Sequence, residues 1–317
     1  MKLLYFNDPH NSEQPPVSRD LNYHTDILKK QLEIIKIAHE LKVDYIGCSG
    51  DWFHRKSNAT IREGLTLVRL MKKSKIPFIG IGGNHDFVGY NQTTIQNRPL
   101  GILVESGVLR LLDNNPIIQG DVVLTGTSHY AGYDVDRLAY IKPDAWKNKY
   151  TIALTHGSLI LSNTGTFYGH YTNMNMLKSM DGDLHNVIFN GHFHNNQGSF
   201  KLKEKNSIVF NIGSIARNVL MDDIAKRIPT VMFINVKDGE CKFEQIELTN
   251  VRDYQDCFIS NDIIKNDTNE IKEFVAALIK ESGELSILHD KELIKTIVKK
   301  HKFNSTVEKM VLDYIEQ

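Results

Sequence analysis

The chain is poor in every feature that would route a protein out of a reducing compartment or into a membrane. Its cysteines, Cys48, Cys241 and Cys257, are few, scattered and odd in number, which excludes a disulfide framework. No apolar run approaches the length that spans a bilayer. The opening MKLLYFND carries one lysine and an apolar stretch that stops at Asp8, too short for the core of a signal peptide. A cytoplasmic location with no membrane contact is therefore expected. Net charge is also missing, with 38 Lys and Arg against 38 Asp and Glu. Any attraction to nucleic acid or anionic lipid must then come from local patches. No Pro, Ser or Gln tract marks a disordered region.

What remains is an ordinary globular mixture, 317 residues with 41% hydrophobic and 24% charged, long enough for one large α/β domain and a small appendage. KLLYFN, VDYIGCSG and IPFIGIGGN are short apolar runs bounded by Gly, Asp or Asn and read as buried strands. Between them lie helical stretches. HTDILKKQLEIIKIAHELK places Ile27, Leu28, Leu32, Ile35 and Ala38 on one side, and NATIREGLTLVRLMKKSK opens with a cap at Asn58 and repeats Ile61, Leu65, Val68 and Leu70. This alternation predicts a parallel α/β core. After about Gly101 come shorter strands, DVVLTGTSHY, YTIALTHGSL, NVIFNGHF, SIVFNIGS and TVMFINV, which predict a second sheet packed on the first. Beyond Asn250 three amphipathic stretches predict helices, so the domains are expected at 1–250 and 251–317.

Metal-capable side chains follow five of the strands. The sets are Asp8 and His10, Asp51 and His54, Asn84 with His85 and Asp86, His156, and His192 with His194. In α/β sheets ligands gather beyond the carboxyl ends of strands, so the five sets are expected to converge. Taken singly, each has an ordinary structural reading: a capped turn at Asp8, a tight turn at Asp51, a left-handed turn at Asn84, a satisfied core histidine at His156, a polar loop at NGHFHN. A period-two strand through NGHFHN would put His192 and His194 on one face. Two aspartates, an Asn carbonyl and several imidazoles suit manganese, iron or zinc better than calcium or an iron–sulfur cluster. The set is too large for one tetrahedral ion and large enough for two, at the spacing of about 3.5–4 Å that clamps both oxygens of a phosphoryl displacement.

The ordered series Asp8-x-His10, Gly50-Asp51, Gly83-Asn84-His85-Asp86, His156 and Gly191-His192-x-His194 resembles the calcineurin-like metallophosphoesterase superfamily over roughly the first two-thirds of the chain. The resemblance implies a two-sheet α/β/β/α sandwich with a dimetal site at the sheet edge and a small C-terminal helical appendage. It implies that Asp8, His10 and His194 hold one ion, that Asn84, His156 and His192 hold the other, and that Asp51 bridges them. The ions would be divalent, manganese first, with iron, zinc and magnesium as alternatives. His85 would stabilise the transition state or protonate the leaving oxygen, with Asp86 orienting its ring. GDWFH, GGNHD, FNGHFHN and the following NIGSIAR are similar to the DNA-repair exonuclease branch, the SbcD-type nucleases and their phage relatives. In that branch His54 would position the phosphodiester, and Ser214 and Arg217 could touch backbone phosphate. Arg19 is a weaker candidate substrate contact, because the loop NSEQPPVSRD departs from the short turn expected there.

Membership of that branch implies a DNA phosphodiesterase, working as the nuclease subunit beside an SMC-like ATPase of the SbcC type, and a homodimer. Only residues 251–317 remain for a cap, so they are expected to be a reduced cap, an ATPase-docking element or a bundle covering the sheet. A neutral chain fits a subunit that borrows DNA affinity from a partner. Two other readings stand beside this one. A phosphatase or small-molecule phosphodiesterase would use the same ions, and a catalytically inactive scaffold would keep only the fold.

Overall fold

The computed structural model describes residues 1–54, 60–161, 170–237 and 240–259. The chain divides into two compact units, Met1–Cys257 and Phe258–Gln317. The three predicted C-terminal helices lie outside the described residues, and the architecture here is that of the first unit.

Fourteen strands are described: β1 (Lys2–Phe6), β2 (Tyr45–Cys48), β3 (Phe78–Gly80), β4 (Leu109–Leu111), β5 (Ile117–Gln119), β6 (Val122–Gly126), β7 (Tyr150–Thr155), β8 (Leu159–Ile160), β9 (Thr172–Asn173), β10 (Val187–Asn190), β11 (Gly198–Leu202), β12 (Ser207–Asn211), β13 (Thr230–Lys237) and β14 (Glu240–Glu247). They form two six-stranded sheets, β14-β13-β1-β2-β3-β4 and β11-β12-β10-β7-β6-β5, and a two-stranded ribbon of β8 and β9. Strands β1 to β4 run parallel, as do β6, β7, β10 and β12. TVMFINV, expected in the second sheet, instead pairs antiparallel with β1 in the first.

Period-two alternation sorts β1 between two layers. Leu3 and Tyr5 enter the core between the sheets with Ile79, Leu154, Phe189 and Ile234. Leu4 and Phe6 face the other way, into a cluster with Ile34 and Ala38 of the helix α1 (Tyr23–Leu41) and Leu67 of α2 (Ile61–Ser74). On the far side of the second sheet Ile188 and Val209 pack with Tyr140, Leu159 and Leu177. The fold is the α/β/β/α sandwich that the sequence predicted. Among the described residues no helix is long and apolar enough to cross a membrane.

The predicted faces are met in part: Ile27, Ala38 and Val68 are buried, and Leu28, Ile35 and Leu70 pack against the core. In α1 Leu32 is 55% exposed, while Ile34 and the polar Lys30 and Gln31 are buried. In α2 Ile61 is 70% exposed, and Gly64, Leu67, Val68 and Met71 face inward. The α2 cap is Thr60, which with Glu63 forms a reciprocal capping box; Asn58 lies outside the described residues.

Candidate metal centre

The ligand-bearing segments all leave the carboxyl ends of parallel strands: Asp8 and His10 after β1, Asp51 after β2, Asn84 and His85 after β3, His156 after β7, and His192 and His194 after β10. The first three belong to one sheet and the last two to the other. Their loops turn sharply. Asp8, His10, Asp51 and His192 have φ of 42°, 44°, 50° and 77°, a left-handed conformation that costs a non-glycine residue on the order of 1 kcal/mol or more. Such strain is tolerated where surrounding structure fixes the chain, and Asp and His are among the residues that adopt it most readily.

The convergence is direct. Ligand atoms of His10, Asp51 and His194 lie within 4.8 Å of one another, and so do those of Asp8, Asp51 and His156. Asp51 belongs to both groups, the position expected of a bridge. His10 Nε2 stands 2.9 Å from His194 Nε2, and Asn84 Oδ1 is 3.0 Å from His192 Nδ1 and 3.1 Å from His156 Nε2. His192 and His194 do not share a strand face. β10 ends at Asn190, and the positive φ at His192 turns its ring toward Asn84 while His194 turns toward His10.

The donor set fits cations. Asp8 Oδ2 is buried with no hydrogen-bond partner among the described residues, a costly state unless a metal or proton takes it up. Burial pushes His10 well below the usual imidazole range, His192 to about 3 and His194 to about 4, so all three rings are neutral, the form that ligates. Burial also opposes ionisation of Asp51, but His156, His85 and His10 outweigh it and hold this carboxyl well below its ordinary value. At His156 burial favours the neutral ring, yet Asp51 and Asp8 prevail and raise it to about 9. Negative charge at this centre thus already attracts a cationic group. His156 Nδ1 donates to the Ser49 carbonyl at 2.5 Å, leaving Nε2 toward Asn84 and Asp51. That outer bond fixes tautomer and ring direction.

Three glycine-bounded turns seat these groups. A Cβ on Gly83 would lie inside contact distance of Asp51 Oδ1 and its amide nitrogen, and one on Gly191 would lie 2.6 Å from His156 Nδ1. Gly50, at φ +90°, backs directly onto Gly83.

His54 and His85 stand beside the ligands. Their rings stack at 5.9 Å and 21°, and with His10 they form a third converging group. His85 donates its backbone N–H to Asp51 Oδ1 at 2.8 Å, and its Nδ1 donates to the His54 carbonyl at 2.5 Å. Asp86 does not orient that ring. Its carboxylate accepts from the backbone N–H groups of Gly83, Trp52 and Phe53 and so ties the Asp51 turn to the Asn84 turn; burial, then the Asp51 charge, raises it to about 7.

The suggested substrate contacts are engaged by the protein itself. Arg19 is 1% exposed; its Nε donates to the Cys257 carbonyl, Nη1 to those of Ala216 and Arg217, and Nη2 pairs with Asp26. It clamps the chain from within, a buried site that a phosphate backbone does not reach. Ser214 Oγ donates to the Asp8 carbonyl at 2.6 Å, holding a ligand loop. Arg217 donates to the carbonyls of Ala225 and Arg252.

Sequence reasoning passed over Asn190, His129 and Arg227. Asn190 accepts from Thr155 Oγ1 and the Gly157 N–H and donates to the Gly157 and Gly191 carbonyls, joining the His156 and His192 turns. His129 stacks on His192 at 6.3 Å and 12° and donates Nδ1–H to the His156 carbonyl. The three side-chain nitrogens of Arg227 are buried with no hydrogen-bond partner among the described residues. The Asn after an apolar strand and the His in TSHY were visible signals; for Arg227 there was none.

Residues 1–196 match the model of the calcineurin-like phosphoesterase family, and the chain belongs to that family. It is a metallophosphoesterase with candidate ligand groups for a dimetal centre. No curated protein matches the chain. Among solved structures, a dimetal phosphatase from Danio rerio is similar over 80% of this chain and 97% of its own, at 9% identity and a TM-score of 0.52. An archaeal phosphodiesterase is 16% identical over 78% of this chain and 100% of its own, with a TM-score of 0.39. Nuclease MPE of Pseudomonas putida is 13% identical over 57% of this chain and 82% of its own, with a TM-score of 0.31. At such identities the likeness is one of fold.

Proposed function

We propose that the protein is a manganese-dependent DNA phosphodiesterase, the nuclease subunit of a machine driven by an SMC-like ATPase of the SbcC type. The observation that carries the reading is the placement of His54 and His85 as a stacked pair against His10, adjacent to the ligand groups that share Asp51. A phosphodiester has an alkoxide leaving group that needs a proton, and a diester in a polymer needs its strand held in line with that donor.

Asp8, His10, Asp51 and His194 would hold one ion and Asp51, Asn84, His156 and His192 the other. When bound, the two ions supply Lewis acidity at the phosphoryl oxygens and lower the pKa of water toward neutrality. The remaining tasks fall to the chain. The His54 carbonyl accepts from His85 Nδ1, so Nε2 is the ring nitrogen left to serve as donor to the departing oxygen. The Asp51–His85 backbone bond fixes that donor relative to the bridging carboxylate. His54, next to both, orients the phosphodiester. The neutral overall charge supports a subunit whose DNA affinity comes from a partner.

The test is metal-dependent nucleotide release from end-labelled linear DNA by the wild type and His85→Ala at matched metal occupancy, with methyl p-nitrophenyl phosphate as a small diester. Loss of a general acid lowers DNA cleavage by roughly 10²–10⁴-fold. Undiminished cleavage in the variant removes His85 from that role. Turnover of the small ester with DNA untouched replaces the nuclease reading by a phosphatase or small-molecule phosphodiesterase.

A further inference from the structure

Strand β14 forms one edge of the first sheet. It is eight residues long and pairs with β13 without a break from Glu240 to Glu247. A sheet edge carries unpaired N–H and C=O groups, and folded proteins blunt it with a short strand, a proline, a bulge, a covering segment or charge. In β14 the strand is long, ECKFEQIE contains no proline, the ladder has no bulge, and the charged side chains are all exposed. Charge is the device left, and along Glu240, Lys242 and Glu244 its sign alternates.

Period-two alternation gives the strand two different faces. Cys241 and Phe243 turn toward the core between the sheets, where the Phe243 and Phe210 ring centroids lie 4.8 Å apart. Glu240, Lys242 and Glu244 lie on the opposite face with Ile246, which packs against the helix layer. The β13 residues opposite Lys242 and Glu244 are Asn235 and Phe233, so the ladder gives neither charge a counter-ion.

A second copy of the chain supplies the missing counter-ions. Two antiparallel strands related by a two-fold axis through the sheet must bring one residue opposite its own copy, so few registers exist. Those that overlap more than half of the strand centre on Lys242, Phe243, Glu244 or Gln245. Centring on Lys242 or Glu244 sets like charges face to face, and centring on Gln245 sets Phe243 against Glu247 and Glu244 against Ile246. Centring on Phe243 sets Lys242 of each copy opposite Glu244 of the other and pairs the two Phe243 rings on the other face. Strand β11, the edge of the second sheet, exposes Ser199 and Lys201 and offers no acid to meet that lysine.

We infer that two copies of the chain join through β14, antiparallel about Phe243, so that their first sheets become one continuous sheet. The interface belongs to the sheet edge and does not depend on the nuclease reading.

Sedimentation velocity over a concentration series tests it. The wild type is expected to dimerise. Lys242→Glu and Glu244→Lys each turn two attractive cross-strand pairs into repulsive ones and should raise the dimer Kd by about tenfold or more, less so in high salt. Lys242→Glu combined with Glu244→Lys restores both pairs and should recover the wild-type Kd. Both side chains are exposed, so thermal melts of the variants should match the wild type. A monomeric wild type overturns the inference. So does a dimer whose Kd neither single swap changes, or a weakened one that the double swap fails to restore.

Discussion

Replacing Gly83 with alanine tests the claim that backbone packing, and not the ligand side chains alone, builds the metal centre. The added Cβ would meet the Asp51 carboxylate and amide nitrogen, and it would stand 2.7 Å from His156 Cε1. The amide nitrogen cannot rotate away as a side chain can. On the other side Gly50 presses its backbone against Gly83, so the two turns must separate. Overpacking of this kind costs roughly 1–3 kcal/mol, or a fall in Tm of about 2–12 °C for a unit of this size. Because Asp51 belongs to both ligand groups, displacing it weakens both ions, by at least the roughly 10–100-fold seen when a supporting contact is lost. The assay is calorimetric titration with manganese alongside a thermal melt. Gly89→Ala is the control, since φ there is +59° but nothing lies within 4 Å of the new Cβ; it should lose on the order of 1 kcal/mol and bind metal normally. Two ions bound by Gly83→Ala with wild-type affinity would refute the packing argument.

Two further outcomes follow from charge. Glu33 accepts from the N–H and Oγ1 of Thr249 and the N–H and Nδ2 of Asn250; burial opposes its ionisation, but these donors outweigh it and lower its pKa. The bonds therefore stabilise the fold above the unfolded value of about 4.3 and are lost as pH falls through the lower folded value. Glu33→Ala should cost about 1–2 kcal/mol at pH 7, and urea melts in which the variant matched the wild type there would exclude the clamp. At His156 the sign is opposite. Its pKa of about 9 exceeds the ordinary 6.5 or so, so in the metal-free protein its charge stabilises below that value and the gain fades as pH rises toward 9. Metal needs the free Nε2, so binding releases this proton, and affinity should rise by up to roughly tenfold per pH unit between 7 and 9. Calorimetry in buffers of different ionisation heat reads the released proton directly; pH-independent affinity would contradict it.

The convergence of the candidate ligands was legible because each follows an apolar strand by one to four positions, and a sheet delivers strand ends to one edge. Asp8, Asp51, Asn84, His156 and His192 needed no knowledge of partners. Roles that depend on distant backbone were not legible. Arg19 looks in sequence like a loop cation, and only the fold shows its guanidinium turned toward Ala216, Arg217 and Cys257. Asp86 adjoins His85 in sequence, but adjacent residues in a turn diverge, and its oxygens meet three N–H groups instead. The helix faces were legible only in part because α1 buries Lys30 and Gln31 along with its apolar side; Lys30 donates Nζ to the Ile215 carbonyl, a bond no hydrophobic pattern encodes. β14 was missed because ECKFEQIE is half-exposed throughout and resembles a polar loop.

Each ligand group draws residues from both sheets, so sheet packing, more than loop conformation, sets the distances within it. Tyr5 of β1 lies against Phe189 of β10 with ring centroids 4.5 Å apart. Just beyond them, Asn7 Nδ2 donates to the Asn190 carbonyl at 3.3 Å, Ser49 Oγ donates to the Phe189 carbonyl at 3.0 Å, and His156 Nδ1 donates back to Ser49. Each bond crosses from one sheet to the other within two residues of a ligand. Strained turns at Asp8, Asp51 and His192 persist where the chain leading into each is tied in this way. An enlarged or reduced side chain at Tyr5 or Phe189 would therefore reach the metals by shifting one sheet edge against the other, although neither residue is a ligand.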